Sequence, residues 1–478
     1  MTRSHPNLLT DLPPGAQADV VVIGSGPGGA VTAHMLSKAG RDVLMLDAGQ
    51  HHAAVDQPKF TVGELRHKYW NRGLTFTNGA PRIFYAMGCA VGGGSEVNNG
   101  EFPALPDAVL ERWKERFAIR DISSEELAGH RAWCLEKLSA DYDAQEPPAA
   151  TRLRTGAAAH DWQVAQIPRC YSRQTRQAMS LSKTLIPEAV DAGCRLLSGA
   201  RVLRLRRRSS NWQVEFEAAG QWQSIVCKTV FLCAGAVQSP VVLLRSGLGT
   251  RVGRLFQAQP MIKVTARFSE NVNEPGMGIP SLQVNQFAPE LTMGCSVSTP
   301  GYMALNLLPH GLQHARFREE WQRYANYYVM LAPESVGRIR RVPGFREPLL
   351  PYRLGQRDLS MLSDGLRKLY QLLLSAGAEL LVPSIADRRF AVANMTDVGR
   401  LPADLPRNST RLTAVHLSSG CAMGENRDLA VVDSFGRVFG TTGLIVNDSS
   451  IMCTAPSVNP QATIMALARR NAQHYLQC

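Results

Sequence analysis

The chain reads as an α/β protein organised around a dinucleotide-binding unit. Two stretches predict this: DVVVIGSGPGGAVTAHMLSKAGRDVLMLDAG at residues 19–49 and KTVFLCAGA at 228–236. In the first, the strand DVVVIG leads into Gly24, Gly26 and Gly29 at the spacing G-x-G-x-x-G. A helix then runs to Gly40, and a second strand, DVLMLDAG, carries Asp47 at its carboxyl end. Gly24 makes the tight turn, Gly26 lets a pyrophosphate approach the backbone, and Gly29 lets helix pack on strand. The helix N-terminus faces the phosphates, and Asp47 stands where a carboxylate accepts ribose hydroxyls. KTVFLCAGA reads as a buried strand returning to the same sheet, its Gly235 again permitting close approach to a cofactor.

The stretch RIFYAMGCAVGGGSEVNNGE (82–101) carries three consecutive glycines and a serine. Each glycine costs conformational entropy in a helix or strand, so these predict a loop lying flat against a ligand. Residues 106–145 look helical and amphipathic, with Trp113 and Trp133 at apolar positions, and EPPAA (146–150) reads as a linker. Residues 176–192 read as a polar loop entering a helix that ends at Gly193. A β-rich unit follows through CRLLSGARVLRLRRR, NWQVEFEA and QSIVCKTVFLCAGA, where the alternation in VLRLR predicts a half-exposed strand. Residues 261–345 lean towards strand, as in MIKVTARFS and YYVMLAPES, and GLRKLYQLLLSAGAELL (365–381) predicts an amphipathic helix ended by Gly377. At the C-terminal end, HLSSGCAMG (416–424) precedes SVNPQATIMALARRNA (457–472), where Asn459 predicts an N-cap and Pro460 the first helical position.

A length of 478 residues allows two or three domains, and 45% apolar with 19% charged residues is ordinary for a globular enzyme. The opening MTRSHPNLLTDLPPG lacks the apolar core of a secretory signal, and no stretch reaches the roughly 20 apolar residues of a membrane span. Ten cysteines are scattered without a CxxC pair, so neither a metal site nor a disulfide framework is expected. These features predict a soluble, cytoplasmic protein without an integral membrane segment. The net charge of +12 is spread, its densest patches being Arg204 and Arg206–Arg208, and then Arg338, Arg340 and Arg341. They read as solvated strand edges and loops, with no stripe or module for nucleic acid. An anionic substrate or an acidic partner stays open.

Taken in order, these pieces resemble the glucose–methanol–choline (GMC) family of flavin oxidoreductases over nearly the whole chain. The matching elements are the G-x-G-x-x-G start, GGGSEVNNG (92–100), FLCAGAVQSP (231–240), VGRLFQ (252–257), HLSSGCAMG and the SVNP helix. Details such as Val97 and Asn98 after the GGGS run are similar to the bacterial cholesterol-oxidase-like and short alcohol dehydrogenase branches. The resemblance implies a Rossmann-like FAD-binding domain built from discontinuous segments, 1–104, 190–262 and 411–478. It also implies an α+β substrate domain, an antiparallel sheet plus helices, from 105–189 and 263–410.

The same resemblance implies that a small-molecule alcohol is oxidised by hydride transfer to flavin N5. His416 stands at the family's active-site histidine, as base, and Asn459 at its partner, positioning the hydroxyl. The implied cofactor-binding residues are Gly24, Gly26, Gly29 and Asp47; Gly93, Gly94, Ser95 and Asn98; Val202, Ala234 and Gly235; and Asp448, Ser449, Asn459 and Pro460. The amino end of the last helix would face the flavin pyrimidine ring. Tyr85 occupies the position where some members carry a FAD-linking histidine, which implies non-covalent FAD. The acidic-histidine pair usual after the VGR element is replaced by Gln257, Ala258 and Gln259. The electron acceptor stays open among oxygen, a quinone and a protein. Because the same scaffold hosts lyase and decarboxylase chemistry, a non-redox flavoprotein is the alternative.

Overall fold

Along Gln17–Ile23, Val20 and Val22 pack into one apolar layer while Val21 and Ile23 pack into the opposite one. A strand buried on both faces belongs inside a largely parallel sheet covered by helices. The computed structural model describes residues 5–13, 15–51, 61–142, 145–172, 177–311 and 314–478. Residues 1–4 and 14 of the N-terminal stretch, 143–144 of the expected helical stretch and 176 of the expected loop lie outside them.

The first sheet has eight strands, in the order Leu8–Leu9, Arg195–Leu197, Val43–Leu46, Gln17–Ile23, Gln221–Leu232, Asn211–Ala218 and Arg201–Arg208 along its main path. Gln221–Leu232 plays two parts. Its first half pairs antiparallel with Asn211–Ala218, and its second half pairs parallel with Gln17–Ile23 on one side and Leu444–Val446, the eighth strand, on the other. The return of KTVFL to the nucleotide sheet is therefore as expected. The helices Pro27–Lys38, Gly235–Arg245 and Gln461–Gln477 all begin beside the carboxyl ends of these strands, where α/β sheets bind ligands.

The second sheet, also of eight strands, is antiparallel across its centre. Met261–Phe268 pairs with Tyr324–Leu331 and Ala378–Pro383, and Tyr324–Leu331 pairs with Leu291–Cys295. Ile83–Tyr85 and Leu412–Ala414, which fall within segments assigned from sequence to the nucleotide unit, pair with each other at the edge of this second sheet. The helix Gln356–Ser375 covers it, burying Leu359, Leu362, Leu366, Leu369, Leu372 and Leu373. Each fully buried leucine contributes about 1.5–3 kcal/mol from area alone. Gly377, at φ +88°, ends the helical path as expected, and the following AELL turns into strand Ala378–Pro383.

Two local expectations are corrected. EPPAA is not a linker throughout, because a helix runs over Pro148–Ala158 and buries Ala149, Ala150, Leu153 and Ala157. Proline sets the first helical φ, and the alanines after it favour helix, so the breaker signal marked a start rather than a gap. The last helix spans Gln461–Gln477, with Pro460 at the cap and no side chain capping it. The Asn459 side chain points elsewhere, towards His416 and Gln283 in the space between the two sheets.

Candidate active site

The two sheets meet at a cavity of about 1020 Å³. Its nucleotide-side wall includes Ile23, Gly24, Gly26 and Leu46, and its far wall includes Met261, Lys263 and Tyr328 of the second sheet. Around it, the glycines of the fingerprint divide their work. A Cβ on Gly24, at φ +96°, would lie 2.4 Å from the Cys233 carbonyl oxygen, and one on Gly29 would lie 1.8 Å from the Gly24 oxygen. Those two hold strand, turn and helix together, and Gly29 stands behind the cavity wall. Gly26 differs: its backbone is ordinary at φ −64°, and a Cβ there would meet nothing closer than the Gly93 Cα at 3.9 Å. Gly94 and Gly235 have no heavy atom at all within 4 Å of a Cβ, and all three line the cavity. Bare backbone on this side and a helix amino end beside it suit an anionic pyrophosphate, so these residues fit a dinucleotide cofactor.

Two buried aspartates lock the cradle. Asp47 accepts hydrogen bonds from Ser25 N at 2.7 Å, Ser25 Oγ at 2.6 Å and Gly49 N at 2.7 Å. Ser25 Oγ in turn accepts from Gly92 N at 2.9 Å, tying the fingerprint turn to the triple-glycine loop. Asp448 accepts from Gly235 N at 2.8 Å, Ser239 Oγ at 2.5 Å and Ser450 N at 2.7 Å, which joins the third chain segment to the second. Burial pushes both carboxyls above their usual range, and these donors pull the other way. Gly93, Asn98, Val202, Ala234, Ser449 and Pro460 line the same cavity as these aspartates. Ser95 does not. Its hydroxyl donates to Gly92 O at 2.8 Å and accepts from Leu181 N at 3.0 Å, bracing the loop from behind.

On the opposite side of the cavity, His416 and Asn459 meet, with Asn459 Nδ2 3.4 Å from His416 Nε2. His416 is held by its backbone, whose carbonyl accepts from Gln259 N at 3.1 Å. Burial lowers its pKa to about 3, and the Lys263 charge adds to this, so the imidazole is neutral in ordinary buffers. An amide donor facing Nε2 is compatible with the lone pair on that nitrogen, and Nδ1 is buried without a hydrogen-bond partner. The amide orientation has its own support. Gln283 Nε2 lies 3.0 Å from Asn459 Oδ1, 3.2 Å from Glu101 Oε2 and 3.1 Å from Tyr328 Oη, and its two hydrogens serve two of these at a time. The Glu101 carboxyl directs the Gln283 nitrogen inwards, and an amide oxygen of Asn459 facing that nitrogen leaves Nδ2 towards His416.

The sequence reading thus brought together the cradle and the His416–Asn459 pair but passed over Glu101, Gln283, Lys263 and Tyr328. Lys263 had a visible signal, a cation near the start of the apolar strand MIKVTARF. Gln283 had none, because glutamine at a strand position is unremarkable until its neighbours are known. Gln257, which interrupts the family pattern, pins the loops: it accepts from Ala455 N at 2.7 Å and donates to Pro333 O at 2.8 Å. Tyr85 lines the cavity near the glycine loop. Among the described residues, no helix is long and apolar enough to cross a membrane.

Two family models, both described as GMC oxidoreductase, match residues 28–261 and 333–468. An uncharacterised GMC-type oxidoreductase of Sinorhizobium fredii is 35% identical, covering 96% of this chain and 94% of its own length. A long-chain-alcohol oxidase of Arabidopsis thaliana is 23% identical over 95% of this chain and 66% of its own. Among solved structures, pyridoxine 4-oxidase from Mesorbium loti superposes with a TM-score of 0.72 at 18% identity, covering 97% of this chain and all of that one. A formate oxidase from Aspergillus oryzae reaches a TM-score of 0.75 at 15% identity, covering 97% and 98%.

Proposed function

Because the chain belongs to the GMC oxidoreductase family and is an FAD-dependent oxidoreductase acting on CH–OH groups, we propose that His416 is its catalytic base and that Asn459 holds the reacting hydroxyl. The observation that carries this reading is the meeting of His416 Nε2 and Asn459 Nδ2 within the cavity that the glycine cradle also lines. At 3.4 Å their mutual contact is long and weak, so an alcohol oxygen replaces it readily. The hydroxyl then donates its proton to Nε2 while accepting from Nδ2. Removing that proton raises electron density on oxygen and loosens the hydride on the carbon. Bound FAD supplies the hydride acceptor. The amino end of the Gln461–Gln477 helix, whose Pro460 and Gln461 line the cavity, contributes a positive dipole that favours negative charge arriving there. The cradle residues, with Asp47 and Asp448 as its braces, bind the cofactor, and Tyr85 leaves FAD without a histidine to link it at that position.

An anaerobic screen of alcohols, read as bleaching of the bound flavin, tests the reading. His416→Ala is expected to keep its FAD and to lose about 10²–10⁴-fold in the flavin reduction rate. The base works as neutral imidazole, present above its pKa of about 3, so the wild-type rate should not fall between pH 8 and roughly pH 5. Flavin that no alcohol reduces, or an unchanged rate in His416→Ala, would remove the proposal and favour non-redox chemistry on this scaffold.

A further inference from the structure

We infer that the cavity selects an alcohol that carries a carboxylate, and that Lys263 is the residue that binds it. This rests on the alcohol-oxidation reading and names the substrate class of the same site. Lys263 stands on Met261–Phe268, the strand that forms the floor of the cavity opposite the glycine cradle. Its surroundings leave the ammonium short of partners. Nζ donates to Ser296 Oγ at 2.8 Å, lies 3.7 Å from the weakly accepting Met261 sulfur, and sits 5.0 Å above the Tyr328 ring. One good acceptor serves a group with three donors. Among the described residues, no carboxylate lies within ion-pair distance of it.

The nearby acid is already committed. Glu101 accepts from Gln283 at 3.2 Å and from Asn99 at 3.4 Å, and the guanidinium of Arg169 is the first charge that offsets its burial. Glu101 feels the Arg169 charge more than that of Lys263, His416 is neutral, and Tyr328 and Cys295 are held protonated by burial. Lys263 is then the cation on the substrate side whose counter-charge, Glu101, is distant and shared with Arg169. Its pKa falls to about 8 through burial, with Glu101 opposing, while the side chain keeps part of its surface open. Burying an unpaired cation is costly, and an incoming anion removes that cost while a plain alkyl chain increases it. Arg411, exposed on the same cavity wall and without a carboxylate partner among the described residues, adds attraction for an anion on entry. One ammonium and one hydroxyl suit a monoanion such as carboxylate, whereas a phosphate dianion asks for more donors.

Two measurements on the FAD-bound protein test this. In the first, ω-hydroxyalkanoates of increasing length are compared with primary alkanols of matched length, by stopped-flow flavin reduction. At least one hydroxy acid is expected to show a KM or Kd roughly 10–100-fold below its neutral counterpart. Lys263→Met is expected to abolish that preference, so that the hydroxy acids lose roughly 10–100-fold more in KM or Kd than the matched neutral alkanols do. In the second, titration calorimetry with alkanoates that lack the hydroxyl is expected to show binding to wild type and none to Lys263→Met at the same flavin content. If every neutral alkanol equals or exceeds its hydroxy acid in wild type, the proposal is overturned, whether or not the variant folds. Equal losses for charged and neutral alcohols in Lys263→Met also overturn it, since that is a structural defect. If no alcohol reduces the flavin but Lys263-dependent alkanoate binding persists, the anion site stands and the alcohol reading falls.

Discussion

Gly26 and Gly29 sit three residues apart in one motif, and the structure predicts opposite failures when each gains a side chain. A Cβ on Gly29 would lie 1.8 Å from the Gly24 carbonyl oxygen. Carbon and carbonyl oxygen approach to roughly 3.3 Å, so the turn and the helix must part by about 1.5 Å. Gly24 N is also bonded to Leu46 O at 2.7 Å, so the movement strains the strand pairing beside it. Overpacking of this kind costs about 1–3 kcal/mol and sometimes more. Gly29→Ala should therefore destabilise the protein with or without FAD. At Gly26 the backbone is one that any residue adopts, and the nearest heavy atom to a Cβ is 3.9 Å away. Gly26→Val should then destabilise the apoprotein less than Gly29→Ala does, by the loss of a favourable N-cap alone, yet fill the space a pyrophosphate needs. Flavin content per chain, from the visible-to-ultraviolet absorbance ratio, should drop by more than about tenfold in Gly26→Val, since the pyrophosphate loses its approach to the backbone. Urea unfolding of flavin-stripped wild type and both variants, followed by tryptophan fluorescence, gives the stability comparison. Near-normal flavin in Gly26→Val would refute the assignment of this loop to the cofactor. Equal destabilisation of the two apoproteins would refute the division of labour between the glycines.

Gln283→Leu leaves Asn459 Oδ1 and the Glu101 carboxylate without their shared donor. An unsatisfied buried acceptor costs about 1–3 kcal/mol, so flavin reduction should slow roughly tenfold or more with FAD retained, and Gln283→Glu should not rescue it. Asn459→Ala should lose less than His416→Ala, because it holds the oxygen but takes no proton; the reverse order in stopped flow would exchange their roles. Denaturation in urea should release free flavin into a desalting-column filtrate, given Tyr85 at the linking position; flavin that stays with the polypeptide would show a covalent bond.

The nucleotide unit was legible because its signals are local. Gly24, Gly26 and Gly29 announce themselves by spacing, Val20–Ile23 by an unbroken apolar run, and Gly377 by the end of a helical period. Each reflects a steric or solvation demand met within a few residues of the chain. Pro148 shows the limit of such signals, since proline opens a helix as readily as it breaks one, and the residues after it decide between the two. Asn459 shows another limit: its sequence context suggests a cap, but Gln283 and His416, from distant strands and loops, recruit its amide instead. Whether Asp47 braces a turn, whether Ser95 faces the ligand, and whether Lys263 has a counter-ion were likewise decided only in three dimensions. The sequence determined which backbone is left bare beside the cavity, because that depends on where side chains are missing. Tertiary structure alone decided the polarity of the substrate side, because burial, donor supply and net charge there are sums over groups brought together from residues 101, 263, 283, 416 and 459.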